Sequence, residues 1–430
     1  MNYEEAVNYI FDIPKFTTKN SPEITRAFLE KLGDISEIIP TIHVAGTNGK
    51  GSVCAYLRYA LNSCGLKVGC FTSPHLVDVR ERFAIDNRMI SKKSFLLAFN
   101  DVMDTLNSAK EEELFKNYHP TFFEFLFFMA VSFYKKEMPD VLILETGLGG
   151  RLDATNSISS PKICIITEIG FDHMEYLGNT KELIAGEKAG IIKRGVPVVF
   201  FDKEEGYGHV ISKRAESLDA PCYCVKKENI KFLKTNLSGI DFSFYYRYDD
   251  CAKICLNTRA LYQSENASLA FLALKTLENT GILPIDEAKC LKGFSKMKWP
   301  GRMEQVSEKL FLDGAHNEDG IAAFLDSVAS FGKRKSYLLY SAVSDKQVEE
   351  VGELILKSGL FAKMYICVLN SKRACSMERL KKIYENKGID VSFFDSVKEG
   401  MEAMNREADE GTVCYVAGSL YLVGEVKELL

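Results

Sequence analysis

Short apolar runs, bounded by glycine or proline, recur along the first half of the chain. Five of them predict buried strands: residues 41–45, 67–71, 141–144, 163–167 and 196–201. Apolar residues at helical spacing fill two of the intervening stretches, at 91–108 and 121–136. Strands that are apolar on both faces and alternate with helices are typical of a parallel sheet covered on both sides. The pattern therefore predicts an α/β domain.

The periodicity changes after the last of these strands. Polar and apolar residues alternate at 242–247, within a segment (222–257) that predicts short antiparallel strands attached to the first domain. A turn-rich segment follows at 293–302. Beyond it, apolar runs alternate again with helical stretches and predict a second α/β domain, with strands at 335–340, 364–369 and 413–417. We therefore place two domains, at residues 1–298 and 299–430.

The composition is sufficient for more than one buried core and argues against several classes of protein. The chain has 430 residues, of which 46% are hydrophobic and 26% charged, with a net charge of −5. A chain this apolar is not disordered, and its acidic balance argues against binding nucleic acid or anionic lipid through bulk electrostatics. The apolar run at 122–134 contains Glu124 and is too short to span a membrane. We expect no nucleic-acid partner and no membrane partner.

The cysteines and the N-terminus indicate the compartment. The 12 cysteines are scattered without a CxxC pair. Cys222, Cys224, Cys251 and Cys255 match no common zinc spacing, so buried strand cysteines are the favoured interpretation. The first residues lack the basic start and apolar core of a secretory signal. We expect a reducing, cytoplasmic location.

A glycine-rich turn follows the first strand. Residues 46–52 are Gly-Thr-Asn-Gly-Lys-Gly-Ser and open a helix. Glycines allow backbone N–H groups to converge on a phosphate, the helix N-terminus adds partial positive charge, and Lys50 adds a full charge. Gly51 stands where a standard phosphate loop has its magnesium-binding hydroxyl. The sequence therefore predicts a phosphate site whose magnesium ligands come from elsewhere.

Other polar segments follow later strands, at the edge where parallel sheets bind ligands. These segments are 71–76, 144–156 and 167–173. Glu145, at the end of an apolar strand, is the obvious carboxylate for a hard cation. Three of the 6 histidines lie in these segments or in the similar motif at 313–317: His75, His173 and His316. Lys188 stands among apolar and small residues, and both a solvated lysine and a site lysine fit that position.

These motifs belong to an ordered series. It comprises HVAGTNGKGS (43–52), FTSPHLVDVRERF (71–83), TFFEF (121–125), LETGLGGRLDATN (144–156), EIGFDHMEYLG (168–178), EKAGI (187–191), the Asn266-Ala267 pair, PGRME (300–304), DGAHN (313–317) and GSLYLVGE (418–425). Over nearly its whole length the chain resembles the folylpolyglutamate synthases of the Mur ligase superfamily, a family that also includes bifunctional dihydrofolate synthases. The resemblance implies a Mur-ligase-like α/β fold, with a P-loop, parallel-sheet ATPase domain followed by a smaller Rossmann-like α/β domain.

The resemblance also implies roles for individual residues. It implies catalytic roles for Lys50, Glu145, His173 and Lys188. It implies that ATP is held by Gly46, Thr47, Asn48, Gly49, Lys50, Gly51, Ser52, Asn266, Arg302, Asp313 and His316. It implies two magnesium ions, held by Ser73, Glu145, His173 and a carbamylated Lys188. It implies a folate site formed by Thr72, Pro74, His75, Arg82, Phe122, Phe123, Arg151 and Asp153. Composition alone would place the two phenylalanines in a core.

The implied reaction is ATP-dependent ligation. The γ-phosphoryl group of ATP passes to the γ-carboxylate of a folate's glutamyl tail, and the amine of L-glutamate attacks the resulting acyl phosphate. The implied partners are folates, L-glutamate and ATP, with no organic prosthetic group, and we expect a monomer. Dihydropteroate stays open as a second acceptor. Two alternatives also stay open, namely a Mur-type ligase of peptidoglycan precursors and a P-loop regulatory ATPase.

Overall fold

The described chain divides into two compact units. The computed structural model describes residues 1–14, 20–203, 206–236, 239–246, 250–344 and 347–430. The first unit contains Met1–Ile169, Met174–Lys227 and Asn266–Phe294. The second contains Gly170–His173, Glu228–Glu265 and Ser295–Leu430. The domain boundary at 298/299 stays a prediction.

A largely parallel sheet forms the centre of the first unit. Its strands in the described part of the chain are β1 (Thr41–Ala45), β2 (Val68–Phe71), β3 (Phe83–Ile85), β4 (Arg88–Met89), β5 (Val141–Glu145), β6 (Ile163–Ile166), β7 (Val198–Asp202) and β8 (Cys222–Lys226). Their order is β4-β3-β2-β5-β1-β6-β7-β8, and only β3 and β4 join by antiparallel pairing. β1 lies between β5 and β6. The loops that follow these three strands therefore share one edge of the sheet.

Helices accompany this sheet along the chain. They are α1 (Tyr3–Asp12), α2 (Pro22–Leu32), α3 (Lys50–Ser63), α4 (Lys92–Ala109), α5 (Phe122–Glu137), α6 (Met174–Leu177), α7 (Lys181–Ala189), α8 (Gly208–Ser217), α9 (Gln263–Thr280) and α10 (Glu287–Lys296). α5 packs against β2 and contacts α1, α2 and α4. This position buries α5 on nearly every side, which explains its apolar run. Among the described residues, no helix is both long and apolar enough to cross a membrane.

The second unit contains two sheets. Its strands, within the described residues, are β9 (Ile230–Asn236), β10 (Gly239–Tyr245), β11 (Cys251–Leu256), β12 (Glu304–Gln305), β13 (Leu310–Leu312), β14 (Ser336–Tyr340), β15 (Lys363–Cys367), β16 (Asp390–Phe394) and β17 (Val413–Ala417). The main sheet has the order β12-β13-β17-β14-β15-β16 and is parallel except for β12. Its helices are α11 (Glu318–Ala329), α12 (Val348–Ser358), α13 (Met377–Tyr384), α14 (Val397–Glu407) and α15 (Leu420–Leu429). Both units are α/β, which confirms the predicted fold class.

The segment at 222–257 differs from its prediction, and its four cysteines lie in strands but are exposed rather than buried: Cys222, Cys224, Cys251 and Cys255. β8 extends the parallel sheet of the first unit, and only β9–β11 are antiparallel. These three strands belong to the second unit rather than decorating the first. Residue 247, the end of the predicted alternation, lies outside the described residues. Alternation reports that one face of a strand is buried, as at Ile240, Phe242 and Phe244, but not which core covers that face.

Candidate active site

The glycine-rich turn between β1 and α3 requires its glycines. Gly46 and Gly49 have φ angles of +147° and +88°, which side-chain-bearing residues rarely adopt. A Cβ at position 46 would overlap the hydroxyl of Thr167, and one at position 49 would overlap the side-chain amide of Asn266. Thr167 follows β6 and donates a 2.5 Å hydrogen bond to the carbonyl of Asn48. The turn is therefore held in close contact with the end of β6 and the start of α9.

Two lysines converge on this turn. Lys50, the first residue of α3, donates to the carbonyls of Gly46 and Thr47, at 3.1 Å each. Lys188, near the end of α7, is only 3% exposed and donates to the same Gly46 carbonyl at 2.7 Å. A buried ammonium group is costly unless it is paired, and the Gly46 carbonyl supplies a partner for Lys188. Lys188 is therefore not a solvated surface lysine, and the turn, with Lys50 at the start of the helix, can receive a phosphate group.

Glu145 lies on the neighbouring strand end. It is the last residue of β5, it is buried, and its Oε2 accepts a 3.0 Å hydrogen bond from the backbone N–H of Ser73. Carboxylate and hydroxyl oxygens are suitable ligands for Mg²⁺, which uses one or two carboxylates and retains several waters. In the described part of the chain no three His, Cys, Asp or Glu residues form a metal-ligand group. Glu145 and Ser73 therefore fit a water-rich magnesium site and not an all-protein cage.

The loop after Glu145 is organised by Asp153. Its Oδ2 accepts the backbone N–H groups of Gly147 and Leu148, at 2.9 and 2.8 Å. Its Oδ1 accepts the backbone N–H and the hydroxyl of Thr155, at 3.0 and 2.6 Å. Arg151 lies on the exposed side of the loop, where its guanidinium pairs with Glu187 at 2.8 Å. Asp153 thus binds its own loop in this structure, which sequence reasoning missed.

Three of the predicted folate residues meet in one cluster. Arg82 Nε donates to His75 Nδ1 at 2.8 Å, and the guanidinium lies 5.7 Å from the centre of the Phe122 ring. The ring of Phe11, from α1, lies 5.9 Å from both His75 and Phe122. Phe11 is 37% exposed, whereas Phe122 is buried. Sequence reasoning missed Phe11. In the sequence it is only one apolar residue of an amphipathic helix, and nothing there distinguishes it from a core residue.

The remaining members of the predicted folate set lie around the end of β2. Thr72 is buried and pairs through its backbone N–H with the Arg82 carbonyl, at 3.0 Å. Pro74 follows Ser73 in the same loop. The ring of Phe123 packs against Phe71, with 5.7 Å between centroids. Both predicted phenylalanines therefore contribute to packing, as composition alone suggested.

In the second unit, Asp313 connects the two motifs that the sequence predicts to bind the nucleotide, at 300–304 and 313–317. Its carboxylate accepts the Tyr262 hydroxyl at 2.6 Å and the backbone N–H groups of Met303 and Ala315, at 2.9 and 2.8 Å. Burial raises the pKa of Asp313, and the positive charge of Arg302 opposes that shift. Arg302 donates to the Gly301 carbonyl at 3.1 Å. The turn at 300–304 and the loop at 313–317 therefore form one structural element.

Asp172 lies between two predicted site histidines. Its Oδ2 is 3.5 Å from His316 Nε2, and its Oδ1 is 3.8 Å from His173 Nε2. His316 Nδ1 is 2.7 Å from the Gly314 carbonyl, so that nitrogen carries the proton and Nε2 faces the carboxylate. His173 itself has a left-handed φ of +52°. Sequence reasoning missed Asp172, although it directly precedes His173.

His43 is a buried histidine on β1. It is 0% exposed, and its Nε2 lies 2.8 Å from Thr155 Oγ1. Burial, together with the nearby positive charge of Lys193, lowers the pKa of His43 from 6.5 to about 3. The imidazole is therefore neutral in the folded protein at physiological pH.

This neutral histidine predicts a specific pH dependence of stability. Between pH 6.5 and 3 the unfolded chain binds a proton at His43 that the folded chain does not, so stability falls as the pH falls. His43 contributes a slope of up to about 1.4 kcal/mol per pH unit in this window. We expect His43→Gln to flatten the plot of unfolding free energy against pH, measured by urea denaturation. Parallel plots for the two proteins would contradict the depressed pKa.

Two domain families match the chain. The family described as "Mur ligase middle domain" matches residues 44–274. The family described as "Mur ligase, glutamate ligase domain" matches residues 301–420. Together they cover the glycine-rich turn, Glu145, Lys188 and the loop at 313–317.

Named relatives align with the whole chain. The dihydrofolate synthase/folylpolyglutamate synthase of Bacillus subtilis (strain 168) is 31% identical over 437 residues, covering 100% of this chain and 99% of the relative. The solved structure of folylpolyglutamate synthase from Thermotoga maritima is 31% identical with a TM-score of 0.83, covering 100% of this chain and 96% of that one. The structure of E. coli FolC in complex with DHPP and ADP is 25% identical with a TM-score of 0.86, covering 100% and 97%.

The two matched domains define the class of protein, which is a ligase of the Mur type. Within that class, the chain belongs to the folylpolyglutamate synthase family, which also contains dihydrofolate synthases. The family and the fold expected from the sequence motifs are therefore confirmed.

Proposed function

We propose that the protein is an ATP-dependent ligase that adds L-glutamate to the γ-carboxylate of a folate's glutamyl tail. The observation that carries this proposal is the convergence of Lys50 and Lys188 on the Gly46 carbonyl, within a glycine turn at the strand edge that also presents Glu145. Such a site fits the phosphates of ATP. Membership of the folylpolyglutamate synthase family supports the folate and glutamate substrates.

The chemistry proceeds in two steps. A carboxylate does not condense with an amine in water, so its oxygen first attacks the γ-phosphorus of ATP, and ADP leaves. The amine of L-glutamate then attacks the acyl phosphate, an amide bond forms, and inorganic phosphate leaves with loss of a proton. Phosphoryl transfer depends mainly on positioning and charge neutralisation. Lys50 and the backbone N–H groups of residues 46–52 would neutralise the phosphate charge.

Magnesium would be held by oxygen and nitrogen ligands that follow the strands of the first sheet in the sequence. Ser73, Glu145, His173 and a carbamylated Lys188 are the proposed ligands, and the ions would neutralise charge on the ATP phosphates. Carbamylation would convert a cationic side chain into an anionic oxygen ligand. The remaining proposed ATP-binding residues are Asn266, which packs on Gly49, together with Arg302, Asp313 and His316. A cytoplasmic monomer with domains at 1–298 and 299–430 completes the proposal.

The folate would lie against residues that follow β2 and β5 and against residues of α1 and α5. The proposed set is Thr72, Pro74, His75, Arg82, Phe122, Phe123, Arg151 and Asp153, to which we add Phe11. The exposed ring of Phe11 offers an aromatic surface to a flat heterocycle, and the buried guanidinium of Arg82, close to Phe122, adds positive charge nearby. Asp153 would contribute through the loop that it holds.

A second activity, joining glutamate to dihydropteroate, is favoured by a specific observation. The Bacillus subtilis relative, which covers 100% of this chain, carries both synthase names. Comparing tetrahydrofolate with dihydropteroate as acceptor, under identical conditions with glutamate, tests this activity. Phosphate release with dihydropteroate at the background rate would exclude it.

Isotope transfer tests the proposed reaction. With folate labelled by ¹⁸O in the γ-carboxylate, one labelled oxygen is expected in the released phosphate, because that oxygen bridges carbon and phosphorus in the acyl phosphate. The expected ADP release requires both folate and L-glutamate, and mass spectrometry of the phosphate measures the label. Label that stays wholly in the folate product, or ADP release without either substrate, would instead support a regulatory ATPase.

A further inference from the structure

A chain of hydrogen bonds runs from β1 to the loop after Glu145. Thr155 donates its hydroxyl proton to Asp153 Oδ1, at 2.6 Å, because a carboxylate only accepts. Thr155 Oγ1 must therefore accept from His43 Nε2–H, at 2.8 Å. This bond fixes the tautomer of His43 and leaves its Nδ1 unprotonated. Within the described residues, that buried Nδ1 has no hydrogen-bond partner.

Asp153, at the end of this series of hydrogen bonds, holds the loop at 146–152 in place. Asp153 Oδ2 binds the N–H groups of Gly147 and Leu148. A Cβ at position 147 would lie 2.6 Å from the ring of Phe123, and one at position 150 would lie 2.9 Å from the Lys188 Cα. The backbone of this loop is thus packed directly against Lys188 on α7 and against the proposed folate residue Phe123. A small displacement of the loop would move both.

We infer that His43 is a positioning residue for the ligation, acting through Thr155 and Asp153 on the loop that follows Glu145. The inference rests on the proposed function and extends it to residues that touch no substrate. A buried imidazole with one unsatisfied nitrogen is unfavourable for packing alone, and an apolar side chain would fill the same space at lower cost. The hydrogen bond that Nε2 donates to Thr155 explains why a histidine occupies this position. Because β1 also leads to Gly46, one strand sets the positions of both the phosphate turn and the loop against Lys188.

Paired variants at Thr155 test the inference. Thr155→Val keeps the shape of the side chain and removes the hydroxyl, whereas Thr155→Ser keeps the hydroxyl. For Thr155→Val we expect kcat to fall by about tenfold, the scale of one lost hydrogen bond to a charged group. The KM for folate is expected to rise more than the KM for ATP, because the loop reaches the glycine-rich turn only through Lys188, which donates to the Gly46 carbonyl. Thr155→Ser is expected to restore both values.

Thr412→Val is the matched control for a lost buried hydroxyl. Thr412 is 0% exposed and donates to Asp409 Oδ1 at 2.7 Å, just before the amino end of β17. Thr412→Val should lower thermal stability. It should not lower kcat or change the KM for folate relative to the KM for ATP. The same changes in Thr412→Val would overturn the inference, because general destabilisation would then explain them.

Variants of His43 separate positioning from acid–base chemistry. Gln places an N–H donor near the position of Nε2, whereas Leu offers none, so His43→Gln should retain most of the activity that His43→Leu loses. The pH profile of kcat should keep its shape in His43→Gln. Loss of one limb of that profile would show that His43 transfers a proton and would overturn a positioning role.

Hydrogen exchange distinguishes failure of this inference from failure of the proposed function. The amides of Gly147 and Leu148 should exchange faster in Thr155→Val than in wild type or Thr155→Ser, as measured by mass spectrometry of the peptide that contains them. Unchanged exchange would overturn the inference even if the enzyme ligates glutamate to folate. Absence of that ligation in wild type would overturn the proposed function, whatever the exchange rates.

Discussion

Lys50→Ala is expected to lower the rate of folate- and glutamate-dependent ADP release by on the order of 10²–10³-fold, the usual effect of removing one preorganised charge-stabilising group. Lys50 begins α3, and its ammonium group donates to the carbonyls of Gly46 and Thr47 in the turn. Its charge is therefore available for the γ-phosphate. The change should leave the fold intact, with a shift in Tm of less than about 4 °C.

Lys67→Ala is the matched control for this variant. Lys67 is also partly buried and donates to a backbone carbonyl, that of Glu137, but it directly precedes β2, at the amino end of the strand. It lies away from the edge that carries the glycine-rich turn. A near wild-type rate in Lys50→Ala, or an equal loss in Lys67→Ala, would show that the phosphate site is assigned wrongly.

The sequence predicted the central sheet and its glycine-rich turn because both are local signals. An apolar run of five residues followed by glycine predicts a strand and a turn without reference to the rest of the chain, as at Thr41–Ala45 and Gly46. The structure adds why two glycines are needed. Gly46 and Gly49 pack against Thr167 and Asn266, which are distant along the chain. Local periodicity describes only neighbouring residues, so it could not predict these two contacts.

Features that depend on distant contacts escaped prediction. Phe11 joins the cluster of His75, Arg82 and Phe122 only because α1 packs beside the loop after β2. The role of Asp153 within its own loop depends on which backbone N–H groups turn toward it. The strands at 230–256 have the predicted alternation, yet they belong to the second unit, because a period of two does not identify the core that a strand covers. Motifs in the sequence identified candidate residues, but the residues that contact them could be seen only in the folded structure.

Lys188 illustrates a residue whose chemistry the sequence left open. On sequence grounds a solvated lysine and a site lysine fitted equally well, and the structure buries the side chain with its Nζ 2.7 Å from the Gly46 carbonyl. The backbone of α7 beside it is fixed by contact with Gly150. A lysine held this firmly, close to Lys50 and the phosphate turn, is suited to a reaction with carbon dioxide that reverses its charge, because the carbamate would supply an oxygen ligand for magnesium.

Lys188→Ala is therefore expected to lose turnover by about 10²–10³-fold, comparable with the loss of a charge-stabilising group. Added short carboxylic acids should restore part of the activity, because they can occupy the vacated position and supply the missing oxygen ligand. The same acids should not rescue Lys50→Ala, which lacks a cation and not an anion. Carbon-13 NMR of wild-type enzyme in labelled bicarbonate should show a carbamate signal that is absent from Lys188→Ala. An active, magnesium-loaded enzyme with an unmodified Lys188 amine would overturn the carbamate assignment while leaving the Lys50 prediction untouched.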